Sequence, residues 1–561
     1  MENSGEREAL LDIKRGSWNA FPYFIGTVVG LQLAGGWLSN LIVYLIDEFN
    51  INSIDAAQIS NVVCGTATLI PVAAAVVADS FLGCFSVIWI SFIIYLLGLI
   101  SLLLTSTLDN LRPIRCENGS ESCVGPSSFQ YAAVYVSLAL TTMGLGGTGY
   151  TITTMGASQF SNPKHQTRYF NWHYLAVYVS SLVTSTGIVY VEDNLSWAWG
   201  FGICLVANLV GLAIFLIGSR YYRFVKPRGS PFIGLARVVV ASVRKRKTAI
   251  SSQITDYYYG DDANINAMLE APSTCLRSLN RAALKTKGDM QENGTILKPW
   301  EICTVQQVED LKTLIQILPL WSSAILVATP IGIQMSLSVL QALTMDRHMG
   351  QSVRIPAATM LVFTIIFTAL CLGLFDHIIW PVLKKVTRID RDLTPLQRIG
   401  VGHVFNVASM VVSAVVESKR RGIGRFQDPE NGTNVIGRMS VFWLVPQLAL
   451  VGIAEAFHYP GQVSLYYQEF PTCLKGMATA MISLLIGMAF YLSGAVIEIV
   501  RSVTDWLPED INNGRLENVY WVLVVLGVFN FGYYVLCSWM YKYKNNNVHD
   551  QMEEDGQIVL N

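Results

Sequence analysis

The sequence predicts an all-α membrane protein of twelve transmembrane helices in two six-helix halves. Three observations carry this. Of 561 residues, 52% are hydrophobic and only 14% charged, where soluble proteins carry about 25% charged residues. The apolar residues fall in runs of about 20, the length that crosses ~30 Å of hydrocarbon. One long polar stretch, residues 220–310, divides the runs into six and six.

In chain order the runs lie near 21–46, 57–78, 85–105, 130–154, 172–191 and 198–219, then 311–340, 356–382, 396–416, 439–461, 474–500 and 518–541. The expected organisation is an N-terminal tail over 1–20, a first bundle over 21–219, a central loop over 220–310, a second bundle over 311–541 and a tail over 542–561. The central stretch holds Arg244-Lys245-Arg246-Lys247 and follows Arg220, Arg223, Lys226 and Arg228. Positive charge beside span ends marks the cytoplasmic side, so this loop and both termini are expected there. Lys384, Lys385, Arg388 and Arg391 agree; Glu417-Ser418-Lys419-Arg420-Arg421, read as an outward loop, does not. No cleavable signal peptide is visible, because the charged first residues lead into a run long enough to span.

Net charge is −1, so no nucleic-acid partner is expected; such binders carry basic surfaces. Phosphate loops, zinc-protease motifs and nucleophile elbows are absent. The chain reads as neither an enzyme nor an ATP-driven pump, and no cofactor or metal is implied. Cys116 and Cys123 share the loop 106–129, where a disulfide and two free thiols are both compatible readings. Asn118, Asn194 and Asn431 head glycosylation sequons in expected outward loops, whereas Asn293 lies on the inner side.

Two sets of six spans joined by a cytoplasmic loop are the pattern of the major facilitator fold, whose halves rock about a site near the bilayer midplane. Within the tenth run stands one carboxylate, Glu455. A charge at bilayer depth costs roughly 2.5–3.5 kcal/mol on insertion scales and is usually turned toward a cavity or a partner. His458 follows three residues later, on the same helix face. His173, His403, Gln32, Gln334 and Gln341 are further polar groups within spans, and Tyr44 and Trp443 are aromatic candidates for a cavity wall. Packing or a satisfied hydrogen bond is the competing reading for each of them.

Specific motifs then appear along nearly the whole chain. They include Ala78-Asp79-Ser80-Phe81-Leu82-Gly83, Phe170-Asn171-Trp172, Trp197-x-Trp199-Gly200-Phe201-Gly202 and Lys226-Pro227-x-Gly229-Ser230-Pro231. Thr344-Met345-Asp346-Arg347, Thr394-Pro395-Leu396-Gln397-Arg398 and Phe442-Trp443-Leu444-x-Pro446-Gln447 continue the series. Together they resemble the plant nitrate/peptide transporter family. The first span, with Asn40-Leu41-Ile42-Val43-Tyr44-Leu45, looks like its nitrate excretion branch.

The resemblance implies a carrier for a small inorganic anion or a small organic solute, embedded in the lipid bilayer. For this branch the plasma membrane is the expected location, with the vacuolar membrane as alternative. The family's proton-coupling charges on the first span fall on Thr27, Gly30 and Leu31, its fourth-span lysine on Gly149, and the basic partner of the gate residue Asp79 on Cys84. A histidine that binds nitrate in one member aligns with Ile331. Both sides of the coupling network are gone, so no buried charge is stranded. The resemblance therefore implies nitrate movement, with chloride as a second anion, by uniport or efflux. A proton-linked carrier of a larger organic solute, such as a glycosylated metabolite or peptide, and a nitrate sensor with little transport stay open beside it.

Overall fold

Long unbroken apolar runs in this chain become helices because a helix satisfies every backbone polar group internally. In the computed structural model, helix falls within each of the twelve expected runs among the described residues. The structure describes residues 16–114, 125–160, 162–224, 231–251, 253–260, 272–286, 300–350, 353–375, 381–382, 385, 393–423, 439–469, 478–509 and 511–541. Cys116, Cys123, Asn118, Asn431, Asn293, Lys226, Arg228, Lys384, Arg388 and Arg391 lie outside them. Among the described residues, eight helical segments are long and apolar enough to cross a membrane. Their outer faces stay apolar, as at Val206, Ile217, Leu536 and Phe529, which is 73% exposed.

The first span departs from the single run expected. It is three pieces, Phe21–Ala34, Gly36–Ser39 and Leu41–Phe49. The break at Gly35 and Gly36 brings the backbone against the fifth span: a Cβ on Gly36 would stand 2.8 Å from Ile188 Cγ2. The last piece ends on Asn50 in the left-handed region, φ 51°. The Ile51 amide there donates back to the Leu45 carbonyl at 3.1 Å, closing the last turn as such caps do.

The second and third spans, Ser53–Val77 and Gly83–Thr107, are joined by a five-residue π turn, Ala78–Leu82, rather than by a loop. Gly83, at φ +76°, ends the helical direction. The fourth span, Ser128–Ala157, opens with a capping box in which Gln130 N donates to Ser127 Oγ and Ser127 N to Gln130 Oε1. The seventh helix, Val305–Leu343, has 39 residues, about 58 Å at 1.5 Å per residue, so it exceeds the bilayer core. The ninth, Pro395–Ile423, corrects the outward loop read at Glu417–Arg421. Those residues form its last turns, with Glu417 and Arg420 buried, because the two charges are paired with each other.

The chain forms two compact units. One comprises Met1–Pro227, Ser323–Gln462 and Thr479–Tyr534. Its core includes Phe24, Trp37, Tyr44, Phe92 and Phe201 from the first half and Leu337, Met410, Leu444 and Tyr520 from the second. The other comprises Arg228–Ser322, Val463–Ala478 and Val535–Asn561. Part of the polar central stretch folds there: the helix Pro231–Arg244 packs Val238 and Ala241 against Tyr257, Ala282, Ala283 and Leu284.

Candidate functional site

Within the first unit, polar side chains from several spans line a cavity of about 510 Å³. The first span contributes Leu31, Gln32, Gly35, Leu38, Ser39 and Ile42. The second contributes Ser60, Asn61, Cys64 and Thr68, residues that share one helix face. Gly146 and Gly149 come from the fourth span and Ser181, Thr184 and Ser185 from the fifth. Ser336, Thr364, Glu455 and Phe490 close it from the seventh, eighth, tenth and eleventh.

Asn61 and Ser336 meet across this cavity. Ser336 Oγ donates to Asn61 Oδ1 at 2.6 Å, joining a residue of each sequence half. The Asn61 Nδ2 is buried and has no acceptor among the described residues. Gln32 is held by the fifth span, where Ser181 Oγ donates to its Oε1 at 3.4 Å and Thr184 Oγ1 to its backbone carbonyl at 3.2 Å.

Among the described residues lining the cavity, Glu455 is the one acidic residue, and none is a lysine, arginine or histidine. Tyr178 and Tyr459 lie near its carboxyl. The positions that align with the family's coupling charges explain themselves here. Leu31 and Gly149 face the cavity. Gly30 packs on the sixth span, where a Cβ would stand 2.9 Å from Gly211 Cα, and Thr27 Oγ1 donates to the Tyr23 carbonyl at 2.6 Å. Ile331 is buried away from the lining.

The other candidates are placed elsewhere. His458 does not share the cavity with Glu455. Its ring is buried against His403, centroids 5.7 Å apart, and its Nε2 lies 3.4 Å from Gln462 Nε2. His403 stacks on Tyr534 at 4.5 Å. His173 meets Thr153 Oγ1 at 3.1 Å. Gln334 donates to Ser413 Oγ at 2.7 Å and accepts from Ser409 Oγ at 2.9 Å. Gln341 donates to Glu417 Oε2 at 2.7 Å and accepts from Tyr520 OH at 3.1 Å. The Tyr44 hydroxyl bonds Thr105 Oγ1 at 2.9 Å, and the ring packs on Phe49, Trp197 and Phe201. Trp443 carries Lys419 Nζ over its ring at 4.0 Å. Asp79 sits half-buried in the π turn beside Cys84. Asn194 is exposed and donates to the Tyr190 carbonyl at 3.1 Å.

Three polar pairs connect the sequence halves near the 47–58 end of the first unit. Arg501 Nη1 meets Asp55 Oδ1 at 2.5 Å. Gln58 Nε2 donates to Glu498 Oε2 at 2.8 Å. Arg347 Nη1 stands 3.8 Å from Asp193 Oδ2.

Long apolar helices around a polar-walled cavity, contributed by both halves of the chain, define a membrane transporter of the major facilitator fold. The profile of the POT family (PTR2) matches residues 85–514, and the chain belongs to that family. It is a transporter and not an enzyme.

Two curated relatives from Arabidopsis thaliana extend the match along the chain. Protein NRT1/PTR FAMILY 2.3 is 46% identical over 564 residues, covering 99% of this chain and 99% of its own. Protein NRT1/PTR FAMILY 2.7 is 46% identical over 534 residues, covering 94% and 93%. Among solved structures, an auto-inhibited POT family peptide transporter superposes with a TM-score of 0.67 at 16% identity, covering 93% of this chain and 97% of its own. The POT family transporter PepTSo superposes with a TM-score of 0.66 at 16% identity, covering 94% and 99%.

Proposed function

We propose that the chain is a passive carrier of a small inorganic anion, nitrate first and chloride second, working by uniport or efflux in the plasma membrane. The observation that carries this is a cavity wall that, among the described residues, has no basic side chain and a single carboxylate. Where the family places coupling charges, this chain presents Leu31 and Gly149, and Glu455 is left as the one carboxylate among the described lining residues. An ionised carboxylate repels an anion, so Glu455 is neutral when nitrate binds beside it. The cavity then offers only neutral donors: Ser60, Asn61 Nδ2, Ser181, Ser185 and the Gln32 amide. Neutral donors hold a monovalent anion weakly, as a low-affinity route requires.

In this reading the two six-helix halves, 21–219 and 311–541, alternate access. The pairs Arg501–Asp55, Gln58–Glu498 and Arg347–Asp193 then close one side. Asp79, lacking its family partner, leaves the opposite gate weakly latched.

A second reading is favoured by the cavity volume. About 510 Å³ is in the range of pockets that enclose drug-sized organic molecules, and its hydroxyls and amides suit a glycoside. Nitrate counterflow in proteoliposomes, with glycosides as competitors, separates the two. Nitrate exchange resistant to glycosides supports the anion carrier. Glycoside uptake without nitrate exchange replaces it.

A further inference from the structure

The helix Pro231–Arg244 has two apolar faces and uses only one of them for its own fold. Val238 and Ala241 are buried in the cluster with Tyr257, Ala283 and Leu284. Lys245, one turn further along that face, is buried too, and its Nζ donates to the Leu284 carbonyl at 2.6 Å. At 100° per residue, Ile233, Ala236, Val239 and Val243 point the opposite way. Ile233, Val239 and Val243 are 43%, 47% and 58% exposed, and Ala236 is exposed with them. A helix on a protein surface in water carries polar residues opposite its packed face. Here that face is aliphatic.

The polar residues lie on the flanks instead. Arg237 stacks over the Trp300 ring at 5.6 Å, and Ser242 Oγ donates to the Ser278 carbonyl at 3.1 Å. At the C-terminal end Arg244, Arg246 and Lys247 are exposed. Arg244 stands 3.7 Å from Glu301. Among the described residues, Arg246 and Lys247 have no acidic partner.

We infer that this helix is a membrane-surface anchor whose Ile233–Val243 face lies in the headgroup–acyl boundary while Arg246 and Lys247 bind anionic lipid headgroups. An exposed aliphatic stripe ending in basic residues is the pattern of helices that lie in the interface plane. The basic central stretch is expected on the cytoplasmic side, where the leaflet is negatively charged. The exposed Arg246 and Lys247 at the end of the stripe complement an anionic surface, which favours the bilayer over a protein partner. The anchor does not depend on which solute the carrier moves.

The test places a benzophenone amino acid at Val243 of the full-length protein. The protein is reconstituted in phosphatidylcholine vesicles with and without phosphatidylserine, and the photoadducts are identified by mass. Phospholipid adducts are expected, with phosphatidylserine over-represented relative to its share. The substitutions R246Q and K247Q should lower that excess by about fivefold per charge removed. Adducts to protein alone would overturn the anchor in favour of a protein interface. Hydrogen exchange of residues 233–243 in the unmodified protein guards against a disturbed variant. Slower exchange in phosphatidylserine vesicles supports the anchor, and identical exchange in anionic and neutral vesicles overturns its headgroup part.

Discussion

Arg420 grips Glu417 from one helical turn away, Nε donating to Oε2 at 2.8 Å and Nη2 to Oε1 at 2.7 Å. Both residues are buried. Gln341 adds a third donor to the carboxylate at 2.7 Å. The remaining Arg420 nitrogen donates to Thr344 Oγ1 at 2.9 Å and Asn512 Oδ1 at 2.7 Å. One guanidinium thus ties the ninth span to the seventh and to the turn before the twelfth. Only arginine has the planar fork to make these bonds together.

Removing one side of that pair strands the other. R420Q should destabilise the protein by about 3–5 kcal/mol, seen as a lower thermal-unfolding midpoint in detergent. The double variant E417Q/R420Q should recover part of the loss. If R420Q melts with the unsubstituted protein, the pair does not hold the spans together.

The third and fourth spans approach closely through glycine. A Cβ on Gly144 would run into the Tyr95 backbone, and one on Gly98 would lie 2.5 Å from Thr141 N. Backbone cannot rotate away as a side-chain tip can, so G144A and G98A should each cost more than the ~1–3 kcal/mol of ordinary overpacking. Yield of monodisperse protein on size exclusion reads this. G149A, whose Cβ meets nothing within 4 Å, is the matched control and should purify normally.

The Arg501–Asp55 pair is partly open to solvent, with side chains 31% and 40% exposed. Such pairs contribute about 0.2–1 kcal/mol and are screened by salt. D55N should therefore shift transport rate by less than about fivefold. The combination of D55N with E498Q, which also weakens the Gln58 contact, should shift it further. A complete loss of transport in D55N alone would mean the residue does more than latch.

Burial pushes the Cys303 thiol up to about 11. Its reactive thiolate is therefore scarce below that pH and grows only as pH rises toward it. Maleimide at pH 7 should modify the exposed Cys275 and spare Cys303 in peptide mass maps. Equal modification of both would mean that the cluster around Tyr257 and Leu284 opens.

Flux should rise as symmetrical pH falls, because protonating Glu455 removes the negative charge that repels the anion. The E455Q variant should be flat with pH and match the low-pH rate. A pH profile unchanged by E455Q would place the titrating group elsewhere.

The spans and Glu455 were legible in the sequence because each rests on composition within one segment. A lone carboxyl in an apolar run has few places to go, and it does face the cavity. Gln32, Gln334 and Gln341 are alike as letters, yet only Gln32 lines the cavity. The other two are taken by Ser413 and Glu417, partners some 75 residues away in sequence. Tyr44 is likewise taken by Thr105. The Glu417–Arg421 charges read as a loop because hydropathy counts charges singly and does not register that Glu417 and Arg420 neutralise each other. Asn61 and Ser60 were missed, although the polar face Ser60-Asn61-Cys64-Thr68 recurs at helical spacing and marks one side of the second span.

The account turns on whether transport has left the proton gradient behind. The direct measurement is nitrate flux in proteoliposomes with and without a proton gradient, run beside E455Q. The passive-carrier account predicts nitrate flux that persists without the gradient and survives E455Q. Flux that requires the gradient and is abolished by E455Q would contradict it and make Glu455 the coupling residue.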